Sequence, residues 1–139
     1  MQFRNGDAHQ DVGHEAIDRE HQVQLGLMDT LHRAVRAKQD DAEICELLER
    51  LLEYSRVHFL SEQILMRLHA YPDYEAHVIE HDRMIGAMEE LRTGWQESRI
   101  DAPLEVIEAL RHDLSGHIRR HDHELAKHLA GSGIGLPRG

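Results

Sequence analysis

The sequence predicts an all-α protein, an antiparallel up-down-up-down bundle of four helices. Four long segments carry apolar residues at helical spacing, the breaks between them are short, and aromatic residues, which favour strands, are only 4% of the chain. At 139 residues the chain can bury one core but not two. We therefore expect one four-helix domain over residues 1–130 and a flexible glycine-rich tail or linker over residues 131–139.

The first two helices are separated by a single polar break. We expect the first helix from about His14 to Lys38 and the second from Asp40 to about His69. Asp40 suits a helix start because its carboxylate can accept hydrogen bonds from free backbone N–H groups, and Glu43 can reach back in the same turn.

Proline marks the starts of the third and fourth helices. Tyr71-Pro72 ends the second helix because proline cannot continue a helix behind it but suits the first turn of the next. We expect the third helix over about 73–97. The run 101–103, Asp-Ala-Pro, opens the fourth helix, which ends near Gly131.

Composition argues against several classes of protein. With 16 Lys and Arg against 26 Asp and Glu, the formal net charge is −10, which disfavours binding to nucleic acid. The single cysteine, Cys45, cannot form an internal disulfide. No apolar run approaches the roughly 20 residues of a membrane span, and the start shows no signal-peptide pattern. We expect a cytoplasmic protein that binds neither nucleic acid nor membranes.

Every predicted helix directs histidine or carboxylate side chains toward the core, at positions where leucine is expected. The seven candidate ligands are His21 in the first helix, His58 and Glu62 in the second, His77 and His81 in the third, and His117 and Asp122 in the fourth. The pairs in the second and third helices are four residues apart, hence one turn apart on one face. In the fourth helix Asp122 lies on the apolar stripe and His117 borders it.

Burying these groups requires compensation. An unpaired buried carboxylate costs several kcal/mol, a large part of the roughly 5–15 kcal/mol that stabilises a domain. A bound cation would compensate, and five imidazoles with two carboxylates exceed what one ion can hold, so two metals fit best. No cysteine points inward, which argues against a thiolate zinc site. Iron, manganese, zinc and copper all suit imidazole with carboxylate, and spacing alone does not choose among them.

The other eight histidines lack this pattern, and we expect most of them to be solvated. They are His9, His14, His32, His69, His112, His121, His123 and His128. His32 and His69 are the two that could support the ligands from outside.

Four segments resemble the ligand-bearing segments of bacterial hemerythrins: VGHEAIDREHQVQL, YSRVHFLSEQILM, AYPDYEAHVIEH and GHIRRHD. The resemblance runs from Val12 to about His128. It implies that His77, His81 and His117 bind one iron and that His21 and His58 bind the other. It further implies that Glu62 and Asp122 bridge the two irons together with an oxo or hydroxo group. Dioxygen would bind reversibly at an open position on the iron with two histidines.

The resemblance also implies an apolar pocket, formed here by Leu25, Phe59, Leu65, Ile118 and Leu125. Two positions depart from the family pattern. Asp113 stands where bacterial members usually have tryptophan, one turn before His117, and Leu125 stands where tyrosine is common. From its spacing, Asp113 could accept a hydrogen bond from His117 or admit water to the pocket. Neither departure removes a ligand.

Three functions remain open at this level. The first is dioxygen binding for storage, delivery or scavenging, which makes the protein a binding protein and not an enzyme. The second is an oxygen- or redox-sensing input domain of a signalling protein. The third is a ferroxidase or oxygenase, which ranks last because ferritin-like sites use Glu-x-x-His pairs and this sequence contains none. A repair or nitric-oxide role and the identity of any protein partner stay undetermined.

Overall fold

The computed structural model describes residues 12–132, and within them four antiparallel helical segments form the predicted bundle without any strand. The first three helices are α1 (Glu15–Arg36), α2 (Asp41–Leu68) and α3 (Tyr74–Gln96). The fourth segment is composite: α4 (Pro103–His117), a π-helical turn (Ile118–Asp122) and α5 (His123–Ser132). Of the predicted tail, residues 131 and 132 belong to α5, while 133–139 lie outside the described residues, as do 1–11.

The helix starts follow the signals in the sequence. The Asp40 carboxylate accepts a hydrogen bond from the Glu43 N–H at 2.9 Å, as predicted, and Pro103 is the first residue of α4. His14 caps α1, because its Nδ1 accepts a hydrogen bond from the Ile17 N–H at 3.3 Å. This histidine therefore has a structural role that the expectation of a merely solvated side chain missed.

The first three helices end in the same way. Lys38, Ala70 and Ser98 follow them with φ of 56°, 51° and 55°, the left-handed region. After α1, for example, the Gln39 N–H donates to the Ala34 carbonyl at 3.1 Å, five residues back, which reverses the chain direction. Glycine usually occupies this left-handed position, so the backbone of these three non-glycine residues is locally strained.

The bundle closes in sequence order: α2 packs against α1 and α3, and α4 packs against α3 and α1. This is up-down-up-down topology. The core residues lie on the predicted stripes, and the fully buried ones include Met28, Leu31, Ile44, Leu51, Met84, Leu91 and Leu114. Within residues 12–132, no helix combines the length and apolarity needed to cross a bilayer.

Candidate metal centre

The seven candidate ligands converge at one end of the bundle core. His21 comes from α1, His58 and Glu62 from α2, His77 and His81 from α3, His117 from the last position of α4, and Asp122 from the end of the π-helical turn. All seven side chains are buried, and none is more than 3% exposed. The residues that the sequence picked out separately on four helices thus form one cluster.

The π-helical turn explains how His117 and Asp122 can both reach this cluster. In an α-helix, residues five apart point in directions that differ by about 140°, since each residue turns about 100°. The π-helix hydrogen-bonds residues five apart, so the two side chains face the same way. The sequence pattern placed Asp122 on the stripe and His117 beside it, and the π-helical turn removes this offset.

The donor atoms divide into two overlapping groups, and within each group they lie no more than 4.8 Å apart. We call the group of His77, His81 and His117 the three-histidine half-site, and that of His21 and His58 the two-histidine half-site. Glu62 and Asp122 belong to both groups. The first half-site therefore offers five ligands and the second offers four.

Each shared carboxylate directs one oxygen toward each half-site. Asp122 Oδ2 lies 2.7 Å from His21 Nε2, whereas its Oδ1 lies 2.9 Å from His77 Nε2 and 3.1 Å from His117 Nε2. Glu62 divides in the same way. Its Oε2 lies 3.2 Å from His58 Nε2 and its Oε1 lies 3.0 Å from His81 Nε2. Carboxylates that divide their oxygens in this way can each serve both half-sites.

Several of these buried inward atoms lie at ion-pair distance from another member of the cluster but with poor hydrogen-bond geometry. They are His58 Nε2, Glu62 Oε2, His117 Nε2 and Asp122 Oδ1. Buried polar atoms normally have well-formed hydrogen bonds, and imidazole and carboxylate atoms that instead face one small volume fit a bound cation. The donor set contains imidazole and carboxylate and no thiolate, which suits iron and related transition metals. The residues therefore fit a pair of such ions.

In the absence of metal, neighbouring carboxylates raise the pKa values of three histidines of the cluster. Burial opposes the charged form of His21 and His77, but hydrogen bonds with Asp122 and Glu62 outweigh it and raise the pKa of both to about 9. Burial also opposes charge on His58, whose hydrogen bonds with Glu20 and Glu62 raise its pKa to about 10. Protons thus occupy histidines that a metal ion would otherwise hold.

The pKa values of Glu62, Asp122 and His81 are lowered. Burial would raise the pKa of Glu62, yet hydrogen bonds with four histidines hold it well below its usual range. Burial and the charge of Glu62 would raise the pKa of Asp122, but His117 and His21 hold it low. Burial lowers the pKa of His81 despite its hydrogen bond with Glu62. Metal binding should therefore displace protons from the cluster.

The outer nitrogens of two ligand candidates have side-chain partners that the sequence did not reveal. His58 Nδ1 lies 2.5 Å from Glu20 Oε1, and His81 Nδ1 lies 3.1 Å from the Gln63 side-chain oxygen. Each partner comes from a neighbouring helix, so no spacing within one helix could have pointed to either contact. Both partners do lie next to a ligand in the sequence, which is the only signal they offer.

Four of the five residues expected to form an apolar pocket are buried. Leu25, Phe59, Ile118 and Leu125 are buried, while Leu65 is only partly buried. The Phe59 ring stacks on His81 with centroids 4.0 Å apart and planes 6° apart. Phe59 therefore covers one face of a ligand ring and helps to keep water from it.

The histidines outside the cluster only partly meet the expectation of solvation. His112 and His123 are exposed, whereas His32 and His69, the two singled out in the sequence as possible supports of the ligands, are buried. His32 Nε2 lies 2.9 Å from Glu108 Oε2, and the His69 carbonyl accepts a hydrogen bond from His128 Nε2 at 2.7 Å. His121 is half-buried and stacks on His117, and His9 lies outside the described residues.

Asp113 has a different partner from the one its spacing suggested. It accepts two hydrogen bonds from Arg83, at 2.8 and 2.9 Å, and Arg83 also donates to Glu80 at 3.0 Å. The residue therefore joins α4 to α3 by a bidentate ion pair. At the position where bacterial hemerythrins usually carry an indole, this chain has an interhelical salt bridge.

Comparison with known proteins agrees with the fold. Residues 12–129 match the family model of the hemerythrin HHE cation-binding domain. The bacteriohemerythrin of Aquifex aeolicus is 29% identical over 124 residues, which cover 86% of this chain and 92% of that protein. The bacteriohemerythrin of Pseudomonas paraeruginosa is 32% identical over 111 residues, covering 80% and 71%. A crystal structure of wild-type hemerythrin matches with a TM-score of 0.81 at 25% identity, covering 94% of this chain and 98% of that one.

Proposed function

The chain belongs to the hemerythrin HHE cation-binding family, and we propose that it is a non-haem di-iron protein that binds dioxygen reversibly. The observation that carries this proposal is the pair of overlapping donor groups with Glu62 and Asp122 in common. We propose that each half-site holds one iron, that the two carboxylates bridge the irons, and that an oxo or hydroxo group completes the bridge.

The unequal half-sites support binding at one iron only. A pair of ferrous ions would supply two electrons, and the ion with fewer protein ligands would keep a free coordination position. The chain provides three imidazoles to one half-site and two to the other, while both carboxylates serve each. With the proposed oxo or hydroxo bridge added, the three-histidine half-site would be filled, so we place the exchangeable ligand beside His21 and His58.

The surroundings of the cluster support reversible binding over oxidation of a substrate. Phe59, Ile118 and Leu125 are buried apolar side chains, and apolar walls exclude water and the protons it carries. Scarcity of protons favours release of dioxygen unchanged. The ligand set is dominated by imidazole, and the Glu-x-x-His pairs of ferritin-like oxidising sites do not occur in the sequence.

Iron loading followed by gas exchange tests the proposal. We expect metal-free protein to take up two ferrous ions per chain under argon and to develop a visible absorption band on exposure to oxygen. The band should disappear on return to argon and reappear in a second cycle. Uptake of a single zinc with no iron binding, or a band that never reverses, would contradict reversible binding at a di-iron site.

A further inference from the structure

The two half-sites differ in the side chains that hydrogen-bond to the outer Nδ1 atoms of their histidines. In the two-histidine half-site, His58 Nδ1 lies 2.5 Å from a carboxylate oxygen of Glu20. In the three-histidine half-site, His81 Nδ1 lies 3.1 Å from a neutral amide oxygen, that of Gln63. His117 Nδ1 lies 4.0 Å from Glu80, beyond hydrogen-bond distance. Among the described residues, the hydrogen bond of Glu20 to His58 is thus the only one that joins a carboxylate to the outer Nδ1 of one of the five histidines.

We propose that Glu20 is a positioning residue that secures the metal ion of the two-histidine half-site. By accepting a hydrogen bond from the Nδ1–H of His58, Glu20 fixes the tautomer in which Nε2 is free to bind a cation. It also fixes the rotation of the ring, whose Nε2 faces Glu62 Oε2 at 3.2 Å.

The position of Glu20 in the fold makes this role specific. Glu20 directly precedes His21 in α1, so one turn of α1 supplies a ligand of the two-histidine half-site and the support for the other ligand, which belongs to α2. The His58 side chain is fully buried, whereas that of Glu20 is 34% exposed. The carboxylate can therefore remain charged at low cost while it supports a buried ring.

The number of ligands explains why this ion depends on such support. The two-histidine half-site offers four ligands against five for the three-histidine half-site. With fewer ligands, misorientation of one ring removes a larger share of the binding. Loss of groups that orient ligands typically weakens metal binding by about 10–100-fold. This inference rests on the proposed function, since it assumes two bound ions.

Titration of metal-free protein with Co²⁺, followed by visible absorption, separates the two ions. We expect wild type to bind two ions per chain, with the three-histidine half-site filling first. Glu20→Ala should leave the first step unchanged and weaken the second about 10–100-fold. Glu20→Gln keeps an oxygen that can accept from His58 and should restore most of the second step. Glu20→Ser is a second truncation with the same expectation as alanine.

Gln63→Ala is the matched control, because it removes the outer partner of a ligand in the other half-site. It should leave the second step unchanged. If wild type takes up two ions and Glu20→Ala binds both as tightly, the role of Glu20 is refuted while the di-metal site stands. Equal weakening in Glu20→Ala and Glu20→Gln would also refute the hydrogen-bonding role, in favour of charge alone. Wild type that binds fewer than two ions would instead refute the proposed function.

Discussion

The two ends of the bundle are built from the same four helices but contain different chemistry. At the end formed by the α1–α2 and α3–α4 links, the stripes carry aliphatic side chains such as Leu31, Leu48 and Ile107. At the other end the same stripes carry five histidines and two carboxylates. Histidine and carboxylate residues can occupy these stripe positions without changing the helical spacing of the inward-facing residues. The aliphatic end can therefore stabilise the bundle while the end with the histidines and carboxylates is available to bind a ligand.

Metal loading at the cluster should change the stability of the protein more than any other perturbation considered. A ligand that binds the folded state alone stabilises it, so filling the cluster with iron should raise the melting temperature markedly. Glu62→Ala removes a ligand common to both half-sites and should leave the protein mostly metal-free, without this gain. Metal analysis and calorimetry measure both effects.

The control for this variant is Glu53→Ala, which removes an exposed carboxylate from the same helix. It should retain two irons per chain and the full gain in melting temperature. Equal melting temperatures of wild type with and without metal would show that the cluster does not contribute to stability as the burial of its residues implies.

A substitution at the aliphatic end should uncouple stability from metal content. Leu48 is buried in α2, and Leu48→Ala should cost about 2–5 kcal/mol of unfolding free energy because it leaves a cavity. The folded variant should still bind two irons, which metal analysis of the purified protein would show. Leu60→Ala, at a site 57% exposed on the same helix, should change stability by less than about 0.5 kcal/mol.

The pH dependence of the metal-free protein should reveal the cluster directly. His21, His58 and His77 have pKa values raised from 6.5 to about 9, 10 and 9, so their stabilisation is complete below about pH 6.5 and is lost as the pH rises through 9 to 10. The lowered pKa values of Glu62 and Asp122 give stabilisation that is lost on acidification below about pH 4.

Urea denaturation at pH 6 and pH 10 measures the alkaline part of this effect. Unfolding free energy should fall by at least a few kcal/mol between the two pH values, since one pKa unit corresponds to about 1.4 kcal/mol. Iron-loaded protein should show a much smaller loss, because metal has already displaced the protons. A metal-free protein equally stable at both values would show that the histidines are not held protonated by the carboxylates.

Glycine substitutions at the helix ends should change stability least, and one such position lies at each end of the bundle. Lys38 at the aliphatic end and Ala70 at the metal end both adopt positive φ. Lys38→Gly and Ala70→Gly should each stabilise the protein by roughly 0.5–1 kcal/mol, because glycine adopts this conformation without strain. Thermal melts should show similar small increases for both variants and unchanged metal content. A loss of stability in either would mean that strain at these residues is relieved in some other way.

Local patterns along the chain predict the helices and most of the candidate ligands. Apolar spacing defines the four stripes, and Asp40 and Pro103 mark helix starts where the structure has them. The pairs His58 and Glu62, and His77 and His81, could be placed on inward faces because an α-helix repeats every 3.6 residues, whatever surrounds it. Interactions within one regular helix depend on local geometry alone, and a single sequence carries that information.

Features that depend on irregular backbone, or on two helices at once, are visible in the folded structure and not in the sequence pattern. The π-helical turn, which brings His117 and Asp122 to one side, does not follow from regular spacing. The contacts of His58 with Glu20 and of Asp113 with Arg83 depend on how neighbouring helices are rotated and shifted against each other. That rotation and shift are set by the packing of the whole core, to which every buried side chain contributes, and no spacing along one helix encodes them.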